Sequence, residues 1–184
     1  MTWILLAVVA LVVVWAIALY NRLVGLRNQV LNGWRQIDVQ LKRRHDLIPN
    51  LVNTVRGAME FERDTLTQVM EARARAVSAT GPADAARKEG ELSQALGRLF
   101  AVAENYPTLR ANENVKMLQE ELTSTENKIS FARQAYNDAV LFFNNKIEMF
   151  PSNVIAGMFN FRPQEFFEVE DATQREAPKV SFQR

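Results

Sequence analysis

TWILLAVVALVVVWAIALYNRLVGLRNQVLNGWRQIDVQLKRRH, residues 2–45, changes character once and never loses its helical rhythm. Thr2 to Tyr20 carries no charge, and its only side-chain hydroxyl besides that of Tyr20 is on Thr2. Nineteen helical residues span about 28 Å, close to the thickness of a bilayer's hydrocarbon core. Trp3 and Tyr20 stand at the two ends, where amphipathic rings favour the headgroup level, and Trp15 joins them as an anchor residue. Ala16-Ile17-Ala18 resembles a signal-peptidase site, but no Lys or Arg precedes the apolar run and the helical pattern continues past Ala18. The reading is an uncleaved anchor over residues 1–20. From Tyr20 onward the apolar residues are Leu23, Leu26, Val30, Trp34, Ile37 and Leu41, in steps of three and four. The membrane helix is therefore expected to continue as one rod to about His45.

Flanking charge sets the expected orientation. Arg22, Arg27, Arg35, Lys42, Arg43 and Arg44 follow the span against Asp38 alone, and nothing basic precedes it. The positive-inside rule puts this side in the cytoplasm, with the N-terminus outside.

Beyond His45 the sequence predicts three more helices. Asp46 is a candidate cap, and Pro49 is tolerated in a first turn, so a second helix is expected over Ile48, Leu51, Val52, Val55, Met59, Leu66, Val69 and Val77. Ser78 to Pro82 reads as a loop. A third helix from near Ala83 carries Leu92, Leu96, Leu99, Val102 and Tyr106 and stops before Pro107; Gly90 and Gly97 share one face, where close packing would offset their poor helicity. The fourth is the most regular, from Val115 through Leu118, Leu122, Thr125, Ile129, Ala132, Tyr136, Ala139, Phe143 and Ile147 to Phe150, a coiled-coil-like seam. Short connections make successive helices antiparallel. The expected fold is all-α, a transmembrane helix continuing into an antiparallel four-helix bundle over residues 21–150, in an up-and-down variant.

The fourth helix returns toward the bilayer and delivers an apolar segment, residues 151–169, followed by a polar tail, 170–184. Val154, Ile155, Met158, Phe159 and Phe161 are its candidate docking residues, with Phe166, Phe167 and Val169 after them. Ser152 can cap a short helix there and Gly157 can end it. Two readings stand: the segment docks on membrane or partner, or it folds back and plugs the bundle. Tyr20-Asn21-x-x-Val24-x-x-x-Asn28 also echoes Tyr136-Asn137-x-x-Val140-x-x-x-Asn144. Asn21, Asn28, Asn137 and Asn144 thus form a candidate register pair across the bundle, with chance identity as the alternative.

Composition narrows the chemistry. Twenty-two Lys plus Arg against 21 Asp plus Glu gives no whole-chain reason for nucleic acid as a partner. With no Cys there is no disulfide, thiolate metal site or catalytic thiol, and one His allows no multi-His metal site. His45 beside Asp46 lacks a nucleophile signature and reads as a capping or surface residue. Glu60, Glu62, Glu120, Glu121 and Glu126 read as solvated helix faces. No catalytic residue, metal ligand or cofactor is assigned, and an enzyme is not expected.

The stretches Tyr20-Asn21-x-Leu23-Val24-x-Leu26-Arg27-Asn28, then Trp34-x-Gln36-Ile37-Asp38-Val39-Gln40-Leu41-Lys42-Arg43-Arg44-x-Asp46-Leu47-Ile48-Pro49-Asn50-Leu51-Val52, resemble the LemA family. Thr125-Glu126-Asn127-Lys128-Ile129, Tyr136-Asn137, Phe150-Pro151-Ser152-Asn153 and Ala177-Pro178-Lys179-Val180 continue the match in order. The resemblance implies a bacterial protein with one N-terminal membrane helix and a cytoplasmic four-helix bundle, without established catalytic activity. Relatives are linked to membrane remodelling in magnetosome formation and are often encoded near a membrane zinc metalloprotease or TPM-domain membrane proteins. No binding residue transfers. The expected function is a non-enzymatic scaffold that self-assembles at the inner membrane, in contact with lipid, with a homo-oligomer suggested by the heptad seam and the Phe-rich end. The alternative is a regulatory adaptor for a membrane protease or for envelope stress.

Overall fold

The computed structural model describes residues 1–59 and 61–168; Glu60, Val169 and the proposed polar tail lie outside them. Six helices occur among the described residues: α1 (Thr2–Val55), α2 (Arg63–Val77), α3 (Gly81–Ala103), α4 (Pro107–Arg110), α5 (Glu113–Glu148) and α6 (Ser152–Met158). No strand is present among them. Residues 2–15 of α1 are exposed throughout, and an 18-residue window within the helix reaches a mean hydropathy of 2.8. An apolar helix face with no protein partner all round is suited to lipid.

The expected break at Asp46 does not occur. α1 runs through Pro49 to Val55. Proline has no N–H to give the carbonyl four residues earlier, which here is that of His45. Arg73 supplies the missing donor: its Nε lies 2.6 Å from the His45 carbonyl oxygen. The chain turns instead just after Val55, where Ala58 and Met59 both donate backbone N–H to the Val55 carbonyl. Met59 is fully buried and pins that turn.

α1 and α5 run antiparallel along each other. Gly33 lies against Tyr136, and Arg43 reaches Glu121 at 2.6 Å. Leu122, Ile129, Tyr136 and Phe143, the expected seam, are all buried; the last three share a core cluster with Leu23, Val30, Ile37 and Leu41 of α1, and Leu122 shares one with Ile48, Leu51, Val52 and Val55. The seam is therefore occupied within the chain rather than left for a partner. α2 and α3 form a hairpin, tied by Arg75 to Glu91 and by Tyr106 to Glu62. Leu66, Val69, Leu92, Leu96 and Leu99 from this hairpin pack with Ile48, Leu51, Val52 and Val55 over the distal part of α1.

Two helix starts illustrate local control. The Asn112 side chain accepts from the backbone N–H of Asn114 and Val115 and caps α5. Asp84 bonds Lys88, the Thr80 N–H and Arg87 at the start of α3, which together hold its carboxyl well below the usual carboxylate range. Gly97 is exposed, and a Cβ there would meet nothing within 4 Å, so close packing does not account for it. The close approach is at Gly33, whose Cβ would stand 3.3 Å from the Tyr136 Cα.

Candidate functional site

Two clusters concentrate the polar and aromatic chemistry. The first lies where α1 leaves its apolar stretch. Ala16, Leu19 and Tyr20 pack on the same core cluster as Phe143, Ile155 and Phe167, so the protein core begins inside the apolar run itself. Phe159 packs against Tyr20 with ring centres 4.6 Å apart and planes tilted by 53°, and Phe161 meets both Tyr20 and Phe143. The Arg27 guanidinium lies 5.2 Å from the Phe161 ring centre, within cation–π range.

The candidate docking residues divide. Ile155 is 9% exposed and Phe161 is half-buried, so these two plug the end of the core. Val154, Met158 and Phe159 are 53%, 73% and 56% exposed, and neighbouring Phe150 is 81% exposed. Folding back and presenting an apolar surface are thus done by opposite faces of one short helix. Ser152 is the first residue of α6 and not its cap; its Oγ is buried without a partner among the described residues. Gly157 lies within α6, and the turn out of the helix is made by Asn160 at φ 54°. Asn tolerates that left-handed geometry, and the Phe161 N–H closes the motif on the Ala156 carbonyl.

After that turn residues 161–168 run extended along α5. Asn144 and Gln164 exchange two bonds, side-chain Nδ2 to the Gln164 carbonyl at 2.9 Å and Gln164 N–H to Oδ1 at 2.8 Å. Asn137 and Phe167 do the same at 3.1 and 2.9 Å. The Tyr136 hydroxyl donates to the Glu165 carbonyl at 2.7 Å. Phe167 is buried against Trp34, ring centres 6.0 Å apart. Both amides of the expected register pair on α5 are thereby committed to the C-terminal segment, while Asn21 and Asn28 on α1 are exposed. The echo between the two stretches does not correspond to a shared role: only the copy on α5 faces a chain that needs partners for its backbone. Trp3 and Trp15 are exposed on the apolar part of α1, apart from this cluster.

The second cluster was not anticipated. Arg44 is buried, and so is His45, for which a capping or surface place was expected. His45 Nε2 lies 2.5 Å from Glu89 Oε1, and Arg44 reaches Glu89 Oε2 at 3.2 Å, Glu126 at 2.8 Å and the Ser93 hydroxyl at 2.7 Å. Glu126, read as solvated, is half-exposed and closes the set from α5. The sequence did hold a sign of this. Arg44 and His45 fall between Leu41 and Ile48, and Glu89 falls between Ala86 and Leu92, each on an apolar stripe at helical spacing. Charges in core register on two helices can only be tolerated if they meet. The cluster ties α1, α3 and α5 at one level.

Comparison with known sequences adds an independent observation. The sequence model described as LemA family matches residues 33–182. Magnetosome protein MamQ 2 of Paramagnetospirillum magneticum is 26% identical, with 83% of this chain and 66% of that protein covered. Magnetosome protein MamQ of Magnetospirillum gryphiswaldense is 24% identical with the same coverage. Protein LemA of Metamycoplasma hominis is 26% identical over 74% of this chain and 63% of its own length. The chain thus spans somewhat less than two thirds of the length of the curated relatives it matches.

Proposed function

This chain belongs to the LemA family, and on that premise we propose that it is a non-enzymatic scaffold, membrane-anchored through Thr2–Tyr20, that self-assembles at the bacterial inner membrane and organises or remodels it. In this reading α1, α2, α3 and α5 form an up-and-down four-helix bundle on the cytoplasmic side, the N-terminus lies outside, and lipid is a direct partner. The supporting observation is the placement of Phe150, Val154, Met158 and Phe159. All four are exposed; Phe159 lies against Tyr20, and Ile155 and Ala156 of the same short helix share a core cluster with Leu19 and Tyr20, where α1 leaves its apolar stretch. Large apolar groups gathered there have a lipid interface within reach, and burying them in it adds a second attachment beside the anchor. The names of the magnetosome relatives fit work at a membrane-bounded structure. Two measurements test the reading. The sequence has no Cys, so Met158→Cys can be labelled uniquely in full-length protein. Brominated lipids should quench a fluorophore there strongly and one at Met117→Cys little; equal quenching would remove the interfacial role. Mass photometry in nanodiscs should give a homo-oligomer, and a monomer at all concentrations would remove the scaffold.

A further inference from the structure

The mode by which residues 161–168 are held has the form of peptide recognition. Five bonds tie residues 164–167 to α5, and every one goes to a backbone N–H or carbonyl of the segment. Spacing explains how one helix can do this. Seven helical residues advance about 10.5 Å, and three extended residues advance about 10 Å. Asn side chains seven apart therefore meet backbone amides three apart, each as a reciprocal pair, with the segment running opposite to α5. Two rings of the segment meet aromatic partners, Phe161 on Tyr20 and Phe143, and Phe167 on Trp34, while Phe166 is partly buried against the same core cluster. Arg162, Pro163 and Glu165 are exposed. The groove consequently reads an extended backbone and two aromatic rings six residues apart, with Phe166 packed between them on the same cluster.

Backbone recognition does not depend on which molecule supplies the backbone. What favours the chain's own segment is tethering, which gives it an effective concentration in the millimolar range. A competitor must come close to that concentration while presenting the same two rings. A second copy anchored beside the first, in the same membrane and at the same height, does both. We propose that the Asn137–Asn144 groove is an extended-peptide site whose occupant in trans is segment 161–168 of a neighbouring copy, donated by exchange. Exchange of an identical element re-forms every contact in the partner, so it is a low-cost route to association. The proposal rests on the self-assembly reading and specifies its joint.

Two full-length variants separate the possibilities. Asn137→Ala with Asn144→Ala disables the groove but keeps the segment; Phe161→Ser with Phe167→Ser disables the segment but keeps the groove. Each is labelled with a different fluorophore and reconstituted in liposomes. The mixture should show energy transfer several-fold above that of either variant mixed with itself, because an intact groove meets an intact segment only across the two chains. No rise, with both variants helical by circular dichroism and wild type associating with itself, overturns the exchange and leaves self-assembly standing. Wild type that shows no transfer overturns both. A second arm uses the octapeptide of residues 161–168 with the segment-disabled chain. It should bind, and N-methylation at the positions of Gln164 and Phe167 should weaken binding at least tenfold. Absence of binding, or indifference to methylation, overturns the groove as a peptide site. Should the double Phe variant fail to fold, Phe167→Ala alone serves in both arms.

Discussion

Tyr136 serves two helices and the C-terminal segment at once: its backbone bears on Gly33, its ring on Trp34, and its hydroxyl on the Glu165 carbonyl. Burial, reinforced by the charge of Glu165, pushes its phenol up to about 12. A folded value above the ordinary one near 10 means that the stabilisation is complete below about pH 10 and is lost as pH rises toward 12. Denaturant stability measured at pH 9 and pH 11 should fall in wild type and fall less in Tyr136→Phe. The glycines give a second residue-scale prediction. Gly97→Ala fills open space on α3 and should stabilise by about 1 kcal/mol. Gly33→Ala pushes a methyl toward the Tyr136 backbone, and after the helical gain of Ala is subtracted should cost up to about 2 kcal/mol net. Urea midpoints of the two variants should therefore move in opposite directions. The glycine pattern was only half legible: sequence singled out Gly90 and Gly97 by their spacing, whereas the need for a missing Cβ at Gly33 depends on which residue of α5 lies opposite.

At the scale of elements, α5 was legible almost to its ends because an apolar stripe with a step of three or four fixes one buried face without reference to anything else. The rod expected to His45 is present, and α1 differs from expectation only over its last ten residues, because Pro49 is a local breaker whose effect a distant residue cancels. Nothing near Pro49 in sequence announces that Arg73 will reach the His45 carbonyl. A double-mutant cycle tests this account. Arg73→Ala should leave that carbonyl short of a donor and cost about 1–3 kcal/mol. Pro49→Ala restores an N–H four residues after His45, so in its presence the Arg73→Ala penalty should shrink markedly. Equal penalties in the two backgrounds would assign Arg73 another role. The buried Arg44–His45–Glu89 set was legible in part: its members stand in core register, but pairing them across α1 and α3 needs the hairpin's position.

For the whole molecule, the order of the helices followed from short connections, and the arrival of residues 150–168 beside the apolar stretch followed from that order. What sequence left open, plug or docking surface, had no single answer because α6 is amphipathic: one face plugs the core and the other is left exposed. Overall orientation carries its own prediction. With every flanking charge on one side of the span, a fluorescent protein fused at Arg184 should mature in the cytoplasm and an alkaline phosphatase fused there should be inactive. The unbroken course of α1 has a mechanical meaning. A flexible linker between span and bundle would let the two turn independently, but a helix of 54 residues joins them here. The part beyond Tyr20 is a stiff arm of about 50 Å, so a bilayer tilt of about 20° swings its tip sideways by about 18 Å. With Thr2–Tyr20 set in a bilayer, any change in its tilt would be converted into lateral displacement at the turn near Met59.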